Sequence, residues 1–381
     1  MSRGAPRGRG AGRVRGSGDG PVRRAGILAG LAGLVAAGAA VGLATERYAI
    51  GRIRNGPDPE ADEPFGRLRA DRSRTVTTDD GLPLAVEEGG PRDATLTVVF
   101  VHGYCLAMGS WHYQRLGLAD MTNPRLRMVF YDHRSHGRSG RAPAETATIE
   151  QLAEDLRQVL ADVVPHGPIV LVGHSMGGMT VMALADKYPD LFRSRVAGVA
   201  LLSTSTGRLS EVTLGLPAVT AKLRAPVLPL ALRAMRSRAG LIERSRRIGS
   251  DISWLLTRRY SFGSTDVSPT LVEYVGQMIS GTPVEVVADF FPALNAHDKL
   301  AALARLRDQE TLIVVGDKDL LTPVEHSRRM AEMLPNAELL LLEGAGHLAM
   351  LERPALVTLR LRAFLHRAYR SAAGSSSRGV R

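Results

Sequence analysis

The chain has 381 residues, a single cysteine, 44 % hydrophobic and 23 % charged residues, and a formal net charge of +11. That length and apolar content can bury a large core, which excludes a disordered chain or a small disulfide-stapled one; Cys105 alone can form no internal disulfide. Residues 1–54 hold ten Arg against Asp19 and Glu46, a net +8, and residues 367–381 add four Arg, leaving −1 for residues 55–366. A nearly neutral body between basic ends excludes a nucleic-acid-binding domain.

Residues 1–24 are rich in Arg and Gly and read as a disordered basic tail. Ala25–Ala44 then runs twenty residues without a charge, between Arg23-Arg24 and Glu46-Arg47. That is just enough to span a hydrocarbon core. Gly26-x-x-x-Gly30 and Gly38-x-x-x-Gly42 make the run only modestly hydrophobic and would allow close helix packing. An uncleaved anchor, a cleaved export signal and a Gly/Ala-rich arm all fit, and the anchor is the reading carried forward. Six Arg within the twenty preceding residues, against Arg47, Arg52 and Arg54 after it, place the N-terminus inside and the folded domain outside the cytoplasm. Secretion after cleavage and a cytoplasmic location are the alternatives. Residues 45–72, with the Pro- and acid-rich Asn55–Phe65, read as a linker.

Arg74–Thr78 and Leu82–Glu88, joined around Asp80-Gly81, form an antiparallel pair at the sheet edge. Apolar runs at Leu96–Val101, Met128–Tyr131, Ile169–Val172, Val196–Leu202, Thr311–Val315 and Ala337–Leu342 read as buried strands. Helical patterns fall at Ile149–Val164, Thr180–Tyr188, Pro323–Met333 and Ala355–Tyr369. Apolar strands alternating with helices mean an α/β fold, a mainly parallel central sheet with helices on both faces. The core is expected at 73–206 and 309–370, a helical insertion at 207–308 and a disordered tail at 371–381. There is no tandem repeat, and nothing specifies an oligomeric state.

Gly173-His174-Ser175-Met176-Gly177-Gly178 follows one of these strands and opens a helix. In that setting G-x-S-x-G is a nucleophile elbow: a strained turn presents the serine Oγ clear of the sheet, and a Cβ two residues either side would collide with its neighbours. Upstream, the first buried strand ends in His102-Gly103-Tyr104. Gly103 is expected to turn the backbone so that the Tyr104 amide, with the Met176 amide, makes a two-donor oxyanion hole. Downstream, one strand runs into Gly316-Asp317-Lys318-Asp319 and the last into Glu343-Gly344-Ala345-Gly346-His347. The order Ser…Asp…His is that of the α/β-hydrolases.

From about residue 73 to 370 the chain resembles the α/β-hydrolase superfamily in its serine branch, esterase- or lipase-like with a helical lid. The resemblance makes Ser175 the nucleophile, His347 the base and Asp319, three after Gly316, the acid, ahead of its rival Asp317. Tyr131 to Ser139 resembles the family's D-x-R-G-H-G-x-S turn, with Ser135 where glycine is usual. His136, Asp132 and Arg134 are expected there as a structural corner.

The stretch between Thr206 and Asp308 is too long for a loop and is expected to carry specificity, with helices at Ala231–Ile242 and Thr270–Ile279. Lys222 to Arg259 holds ten basic residues against Glu243 and Asp251. That face is either simply solvated or leans on an anionic membrane and admits lipid-like acyl substrates. Tyr104, Leu106, Met108, Trp111 and Met176 are expected pocket walls; Phe290 and Phe291 either join them from the lid or pack in the core. Cys105 is expected to pack as a small apolar residue.

The chemistry expected is hydrolysis of a carboxylic ester through an acyl-enzyme, with no cofactor and no metal. The resemblance leaves open thioester hydrolysis, peracid formation of the haloperoxidase type, carbon–carbon bond hydrolysis and acyl transfer. A non-catalytic binding member of the fold is the alternative from another class.

Overall fold

The computed structural model describes residues 51, 54, 56–215, 229–240, 242 and 250–378. The chain divides into two compact units, Met1–Asn55 and Gly56–Arg381, and the account below concerns the second. The twenty-residue segment Ala25–Ala44 lies outside the described residues. Among those described, no helix is long and apolar enough to cross a membrane.

The strands are β1 (Arg72–Thr77), β2 (Pro83–Gly89), β3 (Leu96–Val101), β4 (Leu126–Tyr131), β5 (Ile169–His174), β6 (Val196–Leu202), β7 (Glu310–Gly316) and β8 (Glu338–Leu342). They form one sheet in the order β1-β2-β4-β3-β5-β6-β7-β8. β1 and β2 pair antiparallel and β2 joins β4 antiparallel; every later pairing is parallel. All six residues of β3 and all six of β5 are buried. A strand covered on both faces needs apolar side chains on both, which is why these read as continuous runs rather than alternations.

The helices are α1 (His112–Gly117), α2 (Ile149–Val163), α3 (Met176–Lys187), α4 (Pro189–Arg195), α5 (Ser250–Ser261), α6 (Pro269–Gly281), α7 (Val284–Ala296), α8 (Val324–Met333), α9 (Ala349–Glu352) and α10 (Pro354–Arg378). In α2, Leu152, Leu156, Val159, Leu160 and Val163 make one buried stripe, and the Thr148 hydroxyl caps its start by accepting from the Gln151 amide at 3.1 Å. α10 takes in residues 371–378, read from sequence as tail, as well as the predicted Ala355–Tyr369.

Between β6 and β7 the described residues are mostly helical: 229–240, then α5, α6 and α7. α7 escapes sequence reading because its β-branched and aromatic run Val284 to Phe291 and internal Pro292 are poor helix formers. Burial of Val284, Val286, Ala288 and Phe290 overrides that preference.

The segment expected as a linker is instead bound to the domain where it is described. The Asp58 carboxylate accepts from the Ser268 and Thr270 hydroxyls at the start of α6. Phe65 stacks on Tyr274 of α6, ring centroids 4.6 Å apart. Glu60 and Glu63 reach Tyr113 and His112 of α1, each at 2.6 Å. Polar, Pro-rich composition reads as a spacer, but Asp58, Glu60, Glu63 and Phe65 are all engaged in contacts with the domain.

The turn after β4 also differs in its wiring from the expected corner. Arg134 turns away from Asp132 and donates from Nε and Nη2 to the Asp155 carboxylate of α2, both at 2.6 Å, with Asp80 on its other side at 3.0 Å. Asp132 accepts the amides of Met108 and Arg138 at 2.7 and 2.8 Å, and Ser135 takes the left-handed φ of 64° that suits glycine. The Arg134 and Asp155 side chains are fully buried. Removing one partner strands the other's charge, so Arg134→Ala should lower the unfolding free energy by about 3–5 kcal/mol. Urea denaturation checks this; a loss under about 1 kcal/mol would mean the pair does not hold the turn.

Candidate active site

β5 ends at His174, and Ser175 follows with φ 52° and ψ −118° before α3 begins. This left-handed conformation costs a non-glycine residue on the order of 1–3 kcal/mol, and its surroundings hold it. The Ser175 amide donates to the Leu202 carbonyl of β6 at 3.0 Å, and its own carbonyl accepts from the Thr204 hydroxyl at 2.7 Å. A Cβ on Gly177 would lie 2.1 Å from the Val101 carbonyl oxygen, and one on Gly173 2.7 Å from the Gly177 oxygen. The two glycines therefore let β3, β5 and α3 meet backbone to backbone.

Around this elbow the structure brings together three of the predicted residues. His347 Nε2 lies 2.9 Å from Ser175 Oγ, and His347 Nδ1 lies 2.9 and 3.1 Å from the two Asp319 oxygens. The Asp319 side chain is fully buried. Its Oδ1 accepts the amides of Leu321 and Thr322, both at 2.9 Å, and its Oδ2 the Thr322 hydroxyl at 2.8 Å. Burial by itself would raise this carboxyl; attraction to His347 and the hydrogen bonds from His347 and Thr322 hold it below its ordinary value. Asp317, the rival, faces elsewhere and accepts the Gly344 amide at 2.7 Å. Sequence reading missed Thr322; Asp followed three residues later by Thr is the pattern that signals such a clamp.

Beneath the elbow lies a layer of buried histidines. His102 Nδ1 lies 2.8 Å from the Gly103 carbonyl, His133 Nε2 3.0 Å from the His102 carbonyl, His136 Nδ1 2.9 Å from the Arg134 carbonyl and His174 Nε2 3.0 Å from the His347 carbonyl. A carbonyl only accepts, so each contact assigns the ring's proton to that nitrogen. Gly103 serves this packing rather than a turn, contrary to expectation. Its φ is not left-handed, and a Cβ there would meet His174 Nδ1 at 2.6 Å; Cys105 takes the positive φ, 59°.

The relay opens on a cavity of about 710 Å³. Tyr104, Cys105 and Leu106 line it from the loop after β3, and Leu209, Leu256, Tyr260, Phe291 and Leu294 from the insertion. No Asp, Glu, Lys or Arg is among the described lining residues. Leu106 and Phe291 are thus placed as expected, but Met108, Trp111 and Met176 are not. Trp111 is fully buried against Phe100, ring centroids 5.2 Å apart, Met108 is 5 % exposed in the turn held by Asp132, and Met176 is buried under α3. Core and pocket both select apolar residues, so composition could not separate them. Phe290 points into the core, against His136. Much of the basic stretch from Lys222 to Arg259 lies outside the described residues; within them, Arg233 and Arg238 are exposed and Arg236 pairs with Asp289 at 3.0 Å. Among the described residues no group of three His, Cys, Asp or Glu could hold a metal ion.

Residues 97–354 match the family model of the alpha/beta hydrolase fold, and the chain belongs to that family. It is 26 % identical over 306 residues to a proline iminopeptidase of Pestalotiopsis fici, covering 76 % of this chain and 98 % of that one. It is 27 % identical over 290 residues to a bifunctional esterase/perhydrolase of Acinetobacter calcoaceticus, covering 71 % and 92 %. Among solved structures, a thermophilic esterase from Thermogutta terrifontis superposes with a TM-score of 0.60 at 29 % identity, over 78 % of this chain and 99 % of the other.

The histidine layer makes stability depend on pH. Burial pulls His102 down to about 4, His136 and His174 down to about 3, and His133 well below its ordinary value. In the unfolded chain each binds a proton near pH 6.5, so folding is favoured fully above that pH and loses free energy as pH falls toward 4. Asp132 and Asp155, raised by burial, work in the opposite sense. The net loss between pH 7 and 4 should be at least about 3 kcal/mol, read from urea unfolding at the two values. Equal stability at both would mean these rings are not held neutral.

Proposed function

We propose that this protein is a serine hydrolase that cleaves an uncharged carboxylic ester through an acyl-enzyme intermediate. The observation that carries the proposal is the continuous Ser175–His347–Asp319 relay opening on a largely apolar cavity whose described lining residues include no Asp, Glu, Lys or Arg. His347 Nε2 takes the Ser175 proton as Oγ attacks the carbonyl carbon, and Asp319 holds Nδ1 protonated and stabilises the imidazolium. The amide of Met176, first in α3, has no acceptor within its helix; with the Tyr104 amide it is assigned to the oxyanion. His347 then protonates the departing alcohol, and water, activated by the same nitrogen, releases the acid.

The character of the cavity favours an ester over the substrate of the iminopeptidase relative. A free amine beside the scissile bond would be buried as a cation, and no described lining residue supplies a carboxylate to receive it. An aliphatic acyl chain matches the Leu, Phe and Tyr walls and gains about 0.8 kcal/mol per buried methylene.

Two results are expected with p-nitrophenyl esters from two to sixteen carbons. kcat/KM should climb from acetate to at least hexanoate, by up to about fourfold per methylene. Ser175→Ala should lose about 10⁴-fold or more in kcat, with Asp319→Asn close behind. Ester turnover that survives Ser175→Ala would refute the proposal.

A further inference from the structure

Glu352, at the end of α9 and five residues after His347, has a side chain only 1 % exposed. It takes no part in the relay. One oxygen, Oε2, accepts the Gly346 amide, the peptide N–H immediately before His347, at 2.7 Å. The other, Oε1, accepts the Ser264 amide at 2.6 Å, and the Gly263 amide reaches both oxygens at 3.1 Å. Gly263 and Ser264 are where the chain leaves α5, and α5 supplies Ser253, Leu256, Thr257, Tyr260 and Ser261 to the cavity wall. Among the described residues, the one cationic group paired with Glu352 is Arg353, whose Nη1 lies 4.0 Å from Oε1.

The two chain segments that share this carboxylate touch along their backbones. A Cβ on Gly263 would lie 2.6 Å from the Ala345 carbonyl carbon, and one on Gly346 2.4 Å from that of Phe262. The Leu348 amide donates to the Ser261 carbonyl at 2.8 Å across the same seam. The histidine loop therefore lies directly on the exit of α5. Backbone N–H groups that meet a buried carboxylate make charge-assisted hydrogen bonds, shorter and stronger than neutral ones.

We propose that Glu352 is a positioning residue for the reaction: it pins the peptide preceding His347 and the end of α5 to one charge. His347 Nε2 is thereby held at its 2.9 Å from Ser175 Oγ, in register with the acyl wall. The proposal rests on the reading of Ser175 and His347 as nucleophile and base. Glutamine at 352 keeps one acceptor oxygen and turns an NH₂ toward an amide N–H, so at least one of the three donors loses its partner.

The test uses the full chain and its Glu352→Gln variant, with active sites counted by a fluorophosphonate probe and turnover read on p-nitrophenyl butyrate. Displacing His347 by a fraction of an ångström to an ångström should lower kcat per labelled site, and the labelling rate constant, by about 10- to 100-fold. KM should move by less than about threefold, since Glu352 itself does not line the cavity and no lining side chain is replaced. Glu352→Asp, which keeps the charge, should recover part of the loss, and Gly263→Ala, pressing on the same loop from the α5 side, should reproduce it. In a crystal structure of Glu352→Gln, His347 Nε2 should be displaced from its 2.9 Å position against Ser175 Oγ.

A smaller labelled fraction with unchanged kcat per site would reduce Glu352 to a structural part and overturn the proposal. So would a His347 ring still in place in that crystal structure. A wild-type chain that neither labels nor hydrolyses esters would instead sink the proposed function, and the crystallographic comparison would still decide the positioning role.

Discussion

Everything at this site depends on backbones approaching one another where no side chain intervenes. Ser175 can hold φ 52° only because the Val101 carbonyl region of β3, the end of β5 and the first turn of α3 close on it without a Cβ between them. The strain of the turn is offset by cross-strand hydrogen bonds to Leu202 and from Thr204, which a looser elbow could not make. The same device recurs on the histidine side, where a Cβ on Gly316 would lie 2.1 Å from the Ala345 carbonyl oxygen. A parallel sheet thus delivers the serine, acid and histidine from the ends of β5, β7 and β8 to one place.

Below and beside that point the protein keeps its polar groups neutral or fully paired. His102, His133, His136 and His174 each donate a ring N–H to a carbonyl, which fixes their rings without introducing charge. Arg134 is matched by Asp155 and Asp80, and Asp319 by three hydrogen bonds besides that of His347. On the proposed chemistry, the field around Ser175 is organised before substrate arrives, the condition under which electrostatic stabilisation is most effective.

Most of this could be read from the sequence wherever a residue's job was local. G-x-S-x-G between an apolar run and a helix implies the elbow, and the strands of the parallel sheet announce themselves as apolar runs bounded by turns. What could not be read depended on partners distant in sequence. Arg134 and Asp155 are twenty-one residues apart, and nothing local pairs them. Trp111 and Met108 carry the apolar character of pocket residues but face the core, while Leu256 and Leu294, from helices with weaker signals, line the cavity. Asp58, Glu60 and Glu63 read as solvated linker charge because their partners lie on α1 and α6, far along the chain. Glu352 carries no local signal for the same reason, since two of its three donors come from the insertion.

The most direct test of the account is intact-mass analysis of the protein quenched with acid during turnover of a p-nitrophenyl ester. The account predicts a population heavier by the acyl group, with the modification on Ser175 in the peptide map and none in Ser175→Ala. Turnover without any covalent species in the wild-type protein, or an acyl group carried on Cys105 or another residue, would contradict it.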